Sequence, residues 1–210
     1  MNVTARRVAG LILGVALSTI ATGGRCETAA PPGGDQRERC HHALPATRYE
    51  RSVGTYAIPD VTLLDQDDHR VGLASLLAPE SGVALNFVFT TCNTICPVMT
   101  ATFSRMRTEL GPDAAGLRLV SISIDPDHDR PAVLKEYASR FGSGRDWRFL
   151  TGDGAEVVRV LKAFDAFNGA RTNHQALTYF RAPGRREWVR IKGFASAAEL
   201  AGEYRRLRAD

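Results

Sequence analysis

Val83-Ala84-Leu85-Asn86-Phe87-Val88-Phe89 runs through Thr90 and Thr91 into Cys92-Asn93-Thr94-Ile95-Cys96-Pro97. The first seven residues are almost continuously apolar, the pattern of a central strand covered on both faces. Downstream, Met99, Phe103, Met106 and Leu110 recur at helical spacing, which predicts a helix over 98–110 with these four as its core stripe. Met99 and Met106 carry soft sulfur, but they share that periodic face with Phe103 and are read as packing. The two cysteines therefore sit where a buried strand turns into a helix. A helix N-terminus offers free N–H groups and partial positive charge, which favour thiolate over thiol. Spacing of four places both sulfurs on one side of the first turn, where they can chelate one metal or close a disulfide. Pro97 suits a first helical position, because its missing N–H has no partner to lose there. Two inert, buried structural cysteines are the bland alternative.

On either side of this unit the chain alternates strand and helix. Residues 61–64 and the stretch around Val71 predict a short strand pair across the turn Asp65-Gln66-Asp67-Asp68. Leu117-Arg118-Leu119-Val120-Ser121-Ile122-Ser123-Ile124 predicts a second central strand, followed by a loop and a helix over 132–141. A short strand over 147–150, a helix over 155–167 and a hairpin of 176–180 with 188–191 come next. A last helix runs from Ser196, as N-cap, to Leu207. This order predicts an α/β fold, a thioredoxin-like sandwich with a central mixed sheet flanked by helices, over 56–210. No internal repeat or glycine-rich phosphate loop interrupts it.

The loop Asp125-Pro126-Asp127-His128-Asp129-Arg130-Pro131, with Glu136 beyond, invites a calcium-loop reading. That reading fails, because the sixth position must be glycine for the sharp turn and is Arg130 here. The loop is instead placed at the sheet edge that carries the cysteines, since both follow carboxyl ends of parallel strands. Asp125 is then either an influence on the thiols or a partner's docking, or a cap for the next helix. His69 and His128 lie in charged loops and read as solvated. His174, in Thr172-Asn173-His174-Gln175-Ala176, immediately precedes an apolar strand on a loop expected to approach the cysteine turn. It completes a set of two thiolates and one imidazole.

With 27 basic and 23 acidic residues the formal charge is +4, and Arg6 and Arg7 alone account for two of it. Lys135, Lys162 and Lys192 are the three lysines, and no basic cluster is interleaved with aromatics, which points away from nucleic acid. Residues 1–22 read as a signal peptide or membrane anchor: a basic pair, then an apolar run over 8–21, shorter than the ~20 residues of a comfortable span. Either form exports the domain and leaves the basic end in the cytoplasm. Residues 23–55 read as a flexible linker, on the composition of Ala29-Ala30-Pro31-Pro32-Gly33-Gly34-Asp35. Cys26 and Cys40 are either a local disulfide or free thiols, and Cys40-His41-His42 offers the ligand types of a second metal site.

The chain resembles the Sco/SenC family of copper-handling, thioredoxin-like proteins from about Tyr56 to Leu207. The resemblance rests on Phe89-Thr90-Thr91-Cys92, Cys96-Pro97, Val120-Ser121-Ile122-Ser123-Ile124-Asp125-Pro126, Leu150-Thr151-Gly152, His174 and Gly193-Phe194. It implies one copper ion held by Cys92, Cys96 and His174. It also implies delivery to, or thiol maintenance of, the binuclear copper site of cytochrome c oxidase, with the copper-receiving oxidase subunit and other copper chaperones as partners. A bacterial periplasmic location follows, soluble or tethered to the inner membrane. The family often has Asp before this histidine and Ser after it, whereas Asn173 and Gln175 stand here, a change in what tunes the imidazole. Three-ligand coordination leaves room for an incoming donor, as a transfer site requires. The alternatives are a thiol-disulfide oxidoreductase that keeps a partner's cysteines reduced, or a redox or copper sensor. A peroxidase has little support in a paired-cysteine motif.

Overall fold

The computed structural model describes residues 49–144, 146–170 and 173–209. Eight strands form one mixed sheet: β1 (Tyr49–Thr55), β2 (Thr62–Asp65), β3 (Arg70–Gly72), β4 (Gly82–Val88), β5 (Leu117–Ser123), β6 (Trp147–Thr151), β7 (Leu177–Arg181) and β8 (Glu187–Gly193). Five α-helices accompany them among the described residues: α1 (Leu73–Leu76), α2 (Ile95–Leu110), α3 (Pro131–Ser139), α4 (Gly154–Ala163) and α5 (Ala197–Ala209). The sheet order is β1-β8-β7-β4-β5-β6-β2-β3. β4, β5 and β6 are parallel, joined by α2 and α3, and every other pairing is antiparallel. This is the expected thioredoxin-like α/β sandwich.

Alternation along β4 divides the core into two layers. Val83, Leu85 and Phe87 pack with Val120, Ile122, Leu73, Val157 and Val160 on one face. Ala84 faces the other way, into a cluster with Phe103, Met106 and Leu110 of α2, Leu134 and Tyr137 of α3, and Leu200 and Tyr204 of α5. All seven residues of β4 are buried, as a strand covered on both faces must be. The predicted stripe Met99, Phe103, Met106 and Leu110 is buried throughout. Inside the sheet the Ser121 hydroxyl donates to Asn86 Oδ1 at 2.7 Å and accepts the Trp147 indole N–H at 3.0 Å.

The register positions the site. β4 and β5 run side by side from Gly82↔Leu117 to Val88↔Ser123, and the Ile124 N–H donates to the Val88 carbonyl at 2.9 Å. The two strands end together, so the loop carrying Cys92 and the loop carrying Asp125 emerge next to each other.

The structure departs from expectation at several boundaries. Residues 49–55, assigned to a linker, form β1, a full seven-residue ladder against β8. Most of its side chains are exposed, so it shows no apolar alternation. What holds it is pairing, together with the buried Glu203 carboxylate, which accepts from Tyr49 Oη at 3.0 Å and Arg51 Nε at 2.9 Å. The leader, residues 23–48 of the linker, and Cys26, Cys40, His41 and His42 lie outside the described residues. Among the described residues no helix is long and apolar enough to cross a membrane. α1 was not anticipated. α4 stops at Ala163 instead of 167, where Asp165 takes a positive φ of 51° and the Tyr179 hydroxyl donates to the Phe164 carbonyl at 2.7 Å. Helix α2 begins three residues earlier than predicted, which places Cys96 and Pro97 inside its first turn.

Candidate metal centre

Beyond β4 the chain makes a tight turn in which the Cys92 N–H donates to the Phe89 carbonyl at 3.2 Å. Thr94 is the N-cap of α2, yet its side chain caps nothing. The capping acceptor is sulfur: the Cys96 N–H, one of the free donors of the first turn, points at Cys92 Sγ at 3.4 Å, and Thr94 Oγ1 lies 3.6 Å from the same atom. Pro97 occupies the third helical position, where an N–H would also lack a partner. Cys92 retains 7% exposure, Cys96 retains none, and both are free thiols. Val88, Phe89 and Ile95 pack around the pair. Below it, the Thr100 hydroxyl donates to the Cys96 carbonyl at 2.8 Å and lies 2.9 Å from the Tyr137 hydroxyl.

Neighbours split the two sulfurs. Burial alone would raise the Cys92 thiol, but hydrogen bonds from the backbone of Cys96 and Thr94, then from the Thr94 hydroxyl and the Cys96 thiol, outweigh it and bring it from 9.0 to about 7. Burial pushes the Cys96 thiol far up, a bond from the Phe89 backbone offsets this only in part, and the neighbouring Cys92 and Asp129 charges add to the rise. The arrangement is a readily ionised thiol, buried but with a little surface left, above a wholly buried thiol that resists ionisation.

Beside the turn, Asp129 is wholly buried. Its carboxylate accepts the Thr90 N–H at 3.1 and 3.3 Å, the Thr90 hydroxyl, and the Ser123 hydroxyl at 2.6 Å. The capping role considered for Asp125 is not seen: the N-cap of α3 is Arg130, with no side-chain cap. Asp125 is buried in the loop, its N–H donating to Ser123 Oγ at 3.0 Å and its carbonyl accepting from His128 and Asp129. His69 and His128 are exposed, as expected.

His174 is half-buried on the approach to β7. Its Nε2 lies 3.0 Å from the Phe87 carbonyl, and its ring meets the Phe89 ring edge-on at 6.0 Å. A carbonyl only accepts, so Nε2 carries the proton and Nδ1 the lone pair. Burial lowers the imidazole's pKa, with the Phe87 bond opposing, so the neutral form is favoured. His174 thus lies where the sequence placed it, just before β7, the strand that pairs with β4. Its donor atoms do not converge with both sulfurs, however. Among the described residues, Asp65, Asp67 and His69 are the one trio of ligating side chains with all donor atoms within 4.8 Å. That trio is a hairpin turn: the Asp65 carboxylate takes the N–H groups of Asp67 and His69 and pairs with Arg148, and Asp67 pairs with Lys135.

Residues 52–205 match the family SCO1/SenC. An SCO1 protein homolog of Bacillus subtilis is 37% identical over 114 residues, which cover 53% of this chain and 58% of that protein. A second curated relative, from Stutzerimonas stutzeri, is 34% identical over 108 residues, 51% of each. The chain therefore spans little more than half the length of the curated relatives it matches. Among solved structures, BsSco, a member of the Sco family of cytochrome c oxidase assembly proteins with an identified disulfide switch, is 28% identical with a TM-score of 0.61, covering 74% of this chain and 95% of that one. ScoI of Bradyrhizobium japonicum, solved with copper bound, is 27% identical with a TM-score of 0.57, covering 72% and 99%. A family match running over most of its length, on a domain with the same fold as these structures, makes the assignment plain: the chain belongs to the SCO1/SenC family.

Proposed function

We propose that this chain holds one copper ion with Cys92, Cys96 and His174 and passes it to the binuclear copper site of cytochrome c oxidase during assembly. The observation that carries the reading is the pair of free thiols at the start of α2, one of them depressed to about 7, with a neutral imidazole just before the neighbouring strand β7. Thiolates suit Cu(I), and imidazole accommodates either copper oxidation state. Cys92 would meet the incoming ion as a thiolate, Cys96 would lose its proton on binding, and His174 would offer its Nδ1 lone pair while Nε2–H stays on the Phe87 carbonyl. Copper bound to the Bradyrhizobium relative supports the choice of metal. Export to a bacterial periplasm, with the leader cut or kept as an anchor, belongs to the same reading. An anaerobic Cu(I) titration of the reduced protein against a chromophoric chelator tests it. One tight equivalent is expected, weakened in His174→Ala and lost in Cys92→Ser and Cys96→Ser. Wild-type affinity in either cysteine variant would show the ligands to be misassigned.

The unlike thiols also favour a second reading, thiol-disulfide exchange, in which Cys92 attacks a partner's disulfide and Cys96 resolves the mixed disulfide. Turnover with a disulfide substrate, with no tight Cu(I) binding, would select it.

A further inference from the structure

We propose that Asp129 is a positioning residue for the metal centre, a clamp that ties the turn before Cys92 to the end of β5 and so sets the two sulfurs against each other. The proposal rests on Cys92 and Cys96 being the working pair. Asp129 shares its segment with Asp125 and Asp127, but it differs from them in what it grips. Both of its carboxylate oxygens lie on the Thr90 N–H, one also takes the Thr90 hydroxyl, and the other takes the Ser123 hydroxyl. Two contacts on one residue define direction as well as place, so the peptide two residues before Cys92 cannot rotate freely. The remaining freedom of that turn is removed by the Cys92 N–H on the Phe89 carbonyl. The third contact anchors the clamp to β5, whose end is itself locked to β4 through Ile124 and Val88.

Among the described residues no Lys, Arg or His pairs with this carboxylate, and it is 0% exposed. A buried carboxyl group without a cation is costly unless donors satisfy it, and the three donors here are the turn residue and the strand end that flank the cysteines. Holding the loop alone needs no carboxylate, since an amide of the same shape accepts at one oxygen. An amide presents one oxygen and one NH2 there, so it loses the second oxygen's hold on the Thr90 N–H and meets Ser123 only if that hydroxyl turns round to accept.

The test uses Asp129→Asn, Thr90→Val and Thr90→Ser in the full chain, with two readouts. The first is the glutathione equilibrium, in which the protein dithiol and oxidised glutathione give the protein disulfide and two reduced glutathiones. The second is Cu(I) competition. Asp129→Asn and Thr90→Val should move the glutathione constant, and weaken Cu(I), by about tenfold, the low end of what loss of an outer partner costs a metal site. Thr90→Ser keeps both donors and should behave as wild type. Val160→Ala, a core cut on the opposite face of the sheet, should lower stability and leave both readouts where they were. If Asp129→Asn and Thr90→Val are folded and match wild type in both readouts, Asp129 is part of the fold alone and the proposal is wrong. If the glutathione constant shifts while the wild type takes no Cu(I), the clamp stands and the copper reading fails. If Asp129→Asn does not fold, the contrast between Thr90→Val and Thr90→Ser decides.

Discussion

Cys92 and Cys96 are separated by one helical turn, yet their surroundings drive them in opposite directions. Iodoacetamide reacts with thiolate, so Cys92 should alkylate with a midpoint of about 7 while Cys96 stays protected, as peptide mass spectrometry at a series of pH values would read. Thr94→Ala removes a hydrogen bond to Cys92 Sγ and should move that midpoint upward. The same depression makes stability depend on pH. Between about 7 and 9.0 the folded chain ionises Cys92 and the unfolded chain does not, so this contribution is complete above 9.0 and lost as pH falls through about 7. The urea midpoint of the wild type should therefore gain on that of Cys92→Ser as pH rises across this window. A midpoint for alkylation near 9 would remove the basis of both statements. At this scale the sequence located residues better than it described their surroundings. The position of the cysteine pair at the start of α2, and of His174 just before β7, was legible from spacing and order. The partition of roles between the sulfurs was not, because it depends on depth. Asp129 was missed for the same reason: along the chain it looks like Asp127, and only the fold exposes one and buries the other.

Helix α2 carries the site at one end and the core along its length. Phe103 is fully buried against Trp147, their ring centroids 6.1 Å apart, whereas Val98, two residues after Cys96, is 52% exposed. Phe103→Ala should cost about 3–5 kcal/mol in urea unfolding, and Val98→Ala should stay within about 0.5 kcal/mol. Equal effects would mean that the helix is rotated from the orientation described. Elements with strong apolar periodicity were legible from sequence: β4, β5, α2 and the β7–β8 hairpin all lie within a few residues of their expected places. Elements without it were not. β1 is polar on most positions, and α1 is a single turn of four residues. Where α4 ends is decided by the left-handed backbone at Asp165 and by a hydroxyl from β7, neither of which has a local signature.

The molecule as a whole gathers its chemistry at one edge. The carboxyl ends of β4 and β5, the start of β7 and the first turn of α2 meet there, which is why residues as distant in sequence as Thr90, Asp129 and His174 belong to one neighbourhood. The α/β order of elements made that edge predictable, as it does for parallel sheets in general. What order alone did not reveal is how the domain closes on itself. Glu203 of α5 holds Tyr49 and Arg51, residues 154 and 152 positions earlier. A chain that starts at residue 56 should therefore melt at a lower temperature than the full chain, because it bares the β8 edge and leaves a buried carboxylate short of two donors. An unchanged Tm would mean that β1 adds nothing to stability. This closure also has a consequence in time. β1 is made before β8, its ladder partner, and Tyr49 is made 154 positions before Glu203. β1 must wait for both β8 and α5, so the domain cannot close until they have followed it, and until then its cysteines belong to an unfinished fold.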